Sequence, residues 1–195
     1  PRMGGDARYI MDQLDVLNAD WALRGDKDHP FINDPCQAKV SIIRGGHHPS
    51  SYAETCILTV DIQSLPHEQD SNGLPMSVRR EFEDFLRRAC EADPWLRHNP
   101  IQIQWKLDAD CVEIPEDHEF VQLLAKNVNE ANGGGQFFGV SGHYDGGWFD
   151  ILNGTKVVCF GPGSMKYAHT RNEACGIQEL IEYTEILAVT CLDWC

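Results

Sequence analysis

The sequence predicts an α/β protein in two parts: a split βαβ unit lacking its first strand over residues 1–110, and half of an α/β sandwich over residues 111–195. Three observations carry this. Residues 1–110 alternate between helical and strand periods in the order helix, strand, strand, helix, strand. A split βαβ unit has one more strand in front of that order. Beyond Asp108 the strand-like segments become short, wholly apolar runs set between helical stretches, as in sheets covered on both faces.

The first helix is predicted over residues 6–23, where Ala7, Ile10, Met11, Leu14, Leu17 and Trp21 recur on one face. A loop rich in Asp, Pro and Gly follows, from Arg24 to Pro35. Residues 38–44 alternate as a strand does, and Gly45 and Gly46 end it. The loop His47-His48-Pro49-Ser50-Ser51 leads to a second strand, Glu54 to Ile62. That strand sets Cys56, Leu58, Val60 and Ile62 on one side. After a polar loop, residues 77–92 form an amphipathic helix through Val78, Phe82, Phe85, Leu86 and Ala89. Ile101 to Trp105 has strict period two and is predicted as a strand. In the second part, Asp117 to Asn132 is a helix with Phe120, Leu123, Leu124 and Val128 inward, stopped by three glycines from Gly133. Phe137–Val140 and Lys156–Phe160 are predicted as buried strands. Asn172 to Val189 closes the chain as a helix, with Glu173 near its positive end.

Sixteen basic against thirty acidic residues give a net charge of −14. Such a balance repels nucleic acid and anionic membrane surfaces, so neither is an expected partner. No stretch reaches the ~20 apolar residues of a membrane span, and no apolar signal region follows the first residues. The eight cysteines are scattered and form no CxxC pair. Most are read as buried free thiols in a reducing, cytoplasmic compartment, with Cys191 and Cys195 close enough in sequence to pair.

The densest chemical signal is residues 158–173. An apolar run ends at Gly161-Pro162-Gly163, and His169 follows shortly before a helix. Glycine lets backbone amides approach a ligand, and an imidazole at the carboxyl edge of a sheet is placed to bind a metal. The residues alone suit a Gly-Pro turn with a surface histidine better than a metal site.

This segment resembles the closing signature, F-G-P-G followed by A-H-t-x-n-E, of the zinc aminoacylase, acetylornithine deacetylase, succinyl-diaminopimelate desuccinylase and carboxypeptidase G family of metallopeptidases. The resemblance implies that His169 is the last zinc ligand and that Gly161, Pro162 and Gly163 line the pocket for a substrate carboxylate. Residues 139–146 resemble the family's G-x-s-x-x-t-D-g turn, with Asp145 as its acid. Asp145 also suits a helix N-cap. Gly146, Gly147 and Trp148 stand where many members carry an arginine that grips substrate, and His143 matches no ligand. Residues 42–66 resemble the lid, or dimerisation, domain. There Ser50 replaces an asparagine that reaches the partner's site, Ala53 a proline and Gln63 an arginine. His47 and His48 are read as loop residues pointing apart.

By this resemblance, residues 1–110 are a ferredoxin-like lid lacking its first strand. Residues 111–195 end a zinc-peptidase α/β sandwich. The implied reaction is hydrolysis of the amide of an N-acyl amino acid or small peptide-like substrate by metal-activated water, with two zinc ions, or cobalt or manganese. Catalytic zinc takes about three protein ligands. The chain has no Glu-Glu pair and no His-x-Asp at a strand end, so no catalytic residue is expected in it. The expected partners are an N-terminal catalytic half and a second copy bound through the lid. The competing readings are a truncated, non-catalytic relative that acts as a dimerisation or regulatory partner, and an unrelated α/β binding domain.

Overall fold

The computed structural model describes residues 3–32, 37–106 and 111–195. Cys36, the opening Pro1-Arg2 and the compositional change at 108–110 lie outside the described residues. Contacts divide the chain into two units, Pro1–Cys111 with Gly139–Tyr144, and Val112–Phe138 with Asp145–Cys195.

In the first unit the apolar stripe near the N-terminus makes helix α1, Met3–Ala22. Ile10, Leu14, Leu17 and Trp21 are buried on its inner face, while Ala7 and Met11 sit at the margin. Strands β1 (Ala38–Gly45) and β2 (Cys56–Ile62) pair antiparallel, and helix α2 (Met76–Ala92) packs Val78, Phe82, Leu86 and Cys90 into the same core. In β2, Leu58, Val60 and Ile62 face that core while Ile57 is exposed, the alternation the sequence shows.

Strand β1 departs from simple alternation. Its register shifts between Val40, opposite Val60, and Ile42, opposite Thr59, which leaves Ser41 as a bulge donating its hydroxyl to the Thr59 carbonyl at 3.2 Å. A bulge of one residue moves every later side chain to the other face. Ile42 and Ile43, neighbours that point to opposite faces, are both exposed.

Residues 101–106 are not in a strand. Ile101 and Trp105 dock on the core, and Trp105 meets Phe82 edge-on at 6.0 Å and donates to Glu83 at 2.6 Å. The period-two pattern therefore reports side-chain docking on α2. A ladder also needs a neighbouring backbone, and none pairs with this segment among the described residues.

Helix α1 is tied to the loops around it by a buried ammonium. Lys27, in a 3₁₀ turn at Gly25–Lys27, is 2% exposed and pairs with Glu68 and with Glu81, the latter at 3.0 Å. Its ammonium also lies 4.9 Å from the Trp21 ring centre. Arg24 bonds Glu81 and Asp26, closing a network at the end of α1.

The second unit is built on helices α3 (Glu119–Asn132), α4 (Gly146–Asn153) and α5 (Ile177–Trp194). His118, one residue after the expected start, caps α3 by accepting from the Phe120 amide at 3.2 Å. Gly133 ends it in the left-handed conformation at φ 82°. Its buried face is rotated from the apolar pattern, with Val121, Leu124 and Asn127 inward and Phe120, Leu123 and Val128 flanking them. The cause is polar pairing against α5. Asn127 donates to Thr190 at 3.1 Å and to Asp193 at 3.3 Å, and Phe120 meets Trp194 edge-on at 5.0 Å.

The segments 137–140 and 156–160 are not strands, and neither is buried. An apolar run becomes a sheet strand only where a neighbouring backbone pairs with it, and the described residues supply none. Helix α5 starts at Ile177, five residues later than the periodicity indicates. Its outward face leaves Ile177, Leu180, Ile181 and Leu192 exposed. Among the described cysteines Cys90 is buried, Cys56 and Cys111 are intermediate, and Cys159, Cys175, Cys191 and Cys195 are exposed free thiols. The expectation of mostly buried thiols fails because the runs that hold Cys159 and Cys191 lack a cover. No helix among the described residues is long and apolar enough to cross a membrane.

Candidate functional site

The Gly-Pro-Gly turn and His169 lie on one loop of the second unit, and two carboxylates shape it. Gly163 adopts φ 89°, a left-handed conformation open to glycine, and donates its amide to Glu179 at 3.0 Å. Glu179 stands in the first turn of α5, where the helix dipole favours an acid. The sequence pattern assigned that role to Glu173, which instead precedes the helix. Glu173 accepts the His169 amide at 3.1 Å. Each half of the loop is thus fastened by its own carboxylate.

Between the two anchors the chain makes a 3₁₀ turn, Met165–Tyr167. Ser164 caps it, accepting from the Lys166 amide at 3.3 Å. The Thr170 hydroxyl donates to the Tyr167 carbonyl at 2.7 Å. His169 follows at φ 58°, the positive φ of a non-glycine residue among the described residues. Histidine tolerates this region better than most residues, at a cost of order 1 kcal/mol. The side chain is exposed. The fold therefore holds an imidazole out into solvent on a strained backbone, fixed by bonds on both sides. Phe160, before the turn, meets Tyr183 of α5 at 5.2 Å with the rings tilted by 43° and secures the loop's entry.

Asp145 occupies the N-cap position of α4, as expected for that acid, but its side chain makes no cap bond. Gly161 is exposed and Pro162 half-buried. Ser50 lies in the first unit, on an exposed loop where its amide donates to His48 Nδ1 at 3.1 Å. His48 thus serves the turn. Periodicity alone does not reveal Glu179. Its legible signal is its place three residues after Gly176, in the opening turn of a helix that follows a glycine-rich loop.

An exposed imidazole suits a borderline metal ion such as zinc, so His169 fits one position of such a centre. Among the described residues no group of three or more His, Cys, Asp or Glu side chains is arranged to hold a metal ion.

The family model described as peptidase family M20/M25/M40 matches residues 4–193. The chain is 33% identical over 197 residues to the N-formyl-4-amino-5-aminomethyl-2-methylpyrimidine deformylase of Halalkalibacterium halodurans, covering 95% of this chain and 44% of that protein. It is 29% identical over 198 residues to the enzyme of the same name from Bacillus subtilis, again covering 95% of this chain and 44% of the relative. The chain thus spans less than half the length of the curated relatives it matches.

Proposed function

Because the chain belongs to peptidase family M20/M25/M40, we propose that it is the C-terminal portion of a metal-dependent amidohydrolase that removes a formyl group from a small amine. The observation that carries this reading is His169, presented by a doubly anchored loop within the matched region. Both relatives are named for deformylation of an aminomethylpyrimidine, which favours an N-formyl amine over the N-acyl amino acid of the acetylornithine deacetylases.

In this reading His169 holds one position of the metal centre. Metal ions there would lower the pKa of water and polarise the amide carbonyl. This chain contributes positioning. Glu173 fixes the backbone from which the imidazole projects. Glu179 holds the Gly163 amide, so the turn from Gly161 to Gly163 keeps one shape beside the substrate. A side chain at Gly163 would strain that turn. Asp145 starts α4, and Ser50 stands on the lid loop. The proton-shuttling acid and the other ligands come from the part of the protein that matches the rest of the relatives' length. The same part covers the apolar outer face of α5. The two units are the lid and the end of the catalytic domain, and a second copy pairs along the lid. The metal is zinc, with cobalt or manganese able to replace it.

The test offers the intact protein N-formyl-4-amino-5-aminomethyl-2-methylpyrimidine, N-acetylornithine and N-succinyl-diaminopimelate, and measures the released acid. Formate release faster than release of acetate or succinate supports the proposal. Hydrolysis of the amino-acid substrates alone moves the assignment to a deacylase. No hydrolysis of any of them by metal-loaded protein favours the non-catalytic partner.

A further inference from the structure

The loop that presents His169 also presents a flat phenol ring. Tyr167 to Thr170 is a type II β-turn. The Tyr167 carbonyl accepts the Thr170 amide at 3.1 Å, Ala168 sits at φ −57° and ψ 134°, and His169 takes the positive φ of 58° that the third position demands. The Thr170 hydroxyl adds a bond to the same carbonyl at 2.7 Å, and the Tyr167 amide donates to the Ser164 carbonyl at 3.0 Å. Both backbone groups of Tyr167 are thus fixed. His169 is two residues on, and two steps of chain keep the Cα atoms within about 7 Å. Tyr167 is 46% exposed, with the Lys166 ammonium over its ring at 5.7 Å from the centre. Phe160, at the other end of the loop, has its ring against Tyr183 instead.

We propose that Tyr167 is a specificity-determining residue, whose ring stacks on the heteroaromatic ring of a formylated aminomethyl substrate held at His169. The inference rests on the deformylase reading and names the part of the leaving amine that this chain recognises. In the compound for which both relatives are named, only a methylene and the amide nitrogen separate the pyrimidine from the formyl carbon. A carbonyl polarised beside His169 therefore leaves the pyrimidine close to the same loop. Aromatic rings attract, offset or edge-to-face, with centres about 4.5–7 Å apart. That pyrimidine has no carboxylate for a cationic grip, and its electron-poor π-face is the broadest feature it offers. Lys166 lies over one face of Tyr167, which leaves the opposite face to the incoming ring. A phenol already fixed by its backbone has few torsions left to order, so stacking costs it little entropy. An alkyl formamide offers no such face, and the ring selects aromatic over alkyl amines.

The intact, metal-loaded protein and its Tyr167→Leu and Tyr167→Phe variants are assayed for formate release from two substrates. One is N-formyl-4-amino-5-aminomethyl-2-methylpyrimidine, and the other is N-ethylformamide, which has the amide without the ring. The ratio of kcat/KM for the first over the second should fall about 10-fold or more in Tyr167→Leu, the scale of base–aromatic stacking, and stay within about twofold of wild type in Tyr167→Phe. An unchanged ratio in Tyr167→Leu would overturn the assignment. So would an equal fall in both variants, which would make the hydroxyl the recognising group. Calorimetry on the same preparations gives a reading independent of turnover. The released amine, 4-amino-5-aminomethyl-2-methylpyrimidine, should bind about 10-fold more weakly to Tyr167→Leu than to wild type or Tyr167→Phe. Equal affinity in all three would count against stacking. A wild type that releases no formate from the pyrimidine sinks the deformylase reading and this inference with it. A wild type that does so while Tyr167→Leu keeps the full ratio sinks the role of Tyr167 alone.

Discussion

Replacing Lys27 by Met removes a 2%-exposed ammonium from between two carboxylates and keeps most of its length against Trp21. Glu68 is then left nearly buried at 9% exposure without its cation, while Glu81, at 24%, keeps Arg24. Breaking a buried pair from one side costs about 3–5 kcal/mol, because the remaining charge is desolvated and uncompensated. With Glu81 still paired, the lower end of that range, about 3 kcal/mol, is expected. Urea unfolding of the intact protein measures it, with the denaturant slope unchanged. Adding Glu68→Gln to Lys27→Met neutralises the acid that has lost this ammonium and should recover roughly half of the loss. A loss below about 1 kcal/mol, with no recovery in the double variant, would refute the reasoning. It would show that solvent screens the network like a surface pair.

The same network sets a pH dependence. Burial opposes the Glu81 carboxylate most strongly, but the hydrogen bonds from Lys27 and Trp21 and the charges of Lys27 and Arg24 together outweigh it and hold Glu81 below its ordinary 4.5, so this stability is present above pH ~4.5 and lost as pH falls below it. Burial likewise opposes the Lys27 ammonium, but its bonds to Glu68 and Glu81 keep it above 10.5. That contribution holds below pH ~10.5 and is lost as pH rises past the raised value. Thermal midpoints between pH 3 and 11 check both limbs, and the Lys27→Met profile should be flatter at each end. His169→Gly should raise stability by about 1 kcal/mol, since glycine relieves the φ 58° backbone, while hydrolysis falls by more than about 100-fold. Equilibrium unfolding and initial rates on the same preparation separate the two. Gly163→Ala should cost about 1–2 kcal/mol through its φ of 89° and slow hydrolysis. Its new Cβ meets only ordinary contact with Cys175, so backbone strain is the cause. Asn127→Ala should cost about 1 kcal/mol, since the buried Thr190 loses the bond it accepts but keeps its own to the Ile186 carbonyl, read by urea unfolding.

The helices were the most legible part of the sequence. Ile10, Leu14, Leu17 and Trp21, like Val78, Phe82, Leu86 and Ala89, repeat at helical spacing because one face of each helix must leave water. Strands were legible only in pairs. Residues 38–45 and 56–62 found each other, whereas 101–105 and 156–160 have strand-like patterns but no ladder neighbour among the described residues. Asn127 was missed on α3 because apolar periodicity does not register a buried amide that pairs with Thr190 and Asp193. At the candidate site, residue type and spacing indicated the Gly161–Gly163 turn and His169. The left-handed backbone of His169 and the Glu179–Gly163 bond were not readable. Both depend on where α5 begins, and the local sequence suggests Asn172 where the structure begins at Ile177.

The central claim is that His169 ligates a metal in the intact enzyme, and the most direct measurement is the metal content of the purified wild type and of His169→Asn. Asparagine tolerates the same left-handed backbone but offers no imidazole. The account predicts that the variant stays folded and holds about one metal ion fewer per active site. Equal metal in both proteins would contradict it.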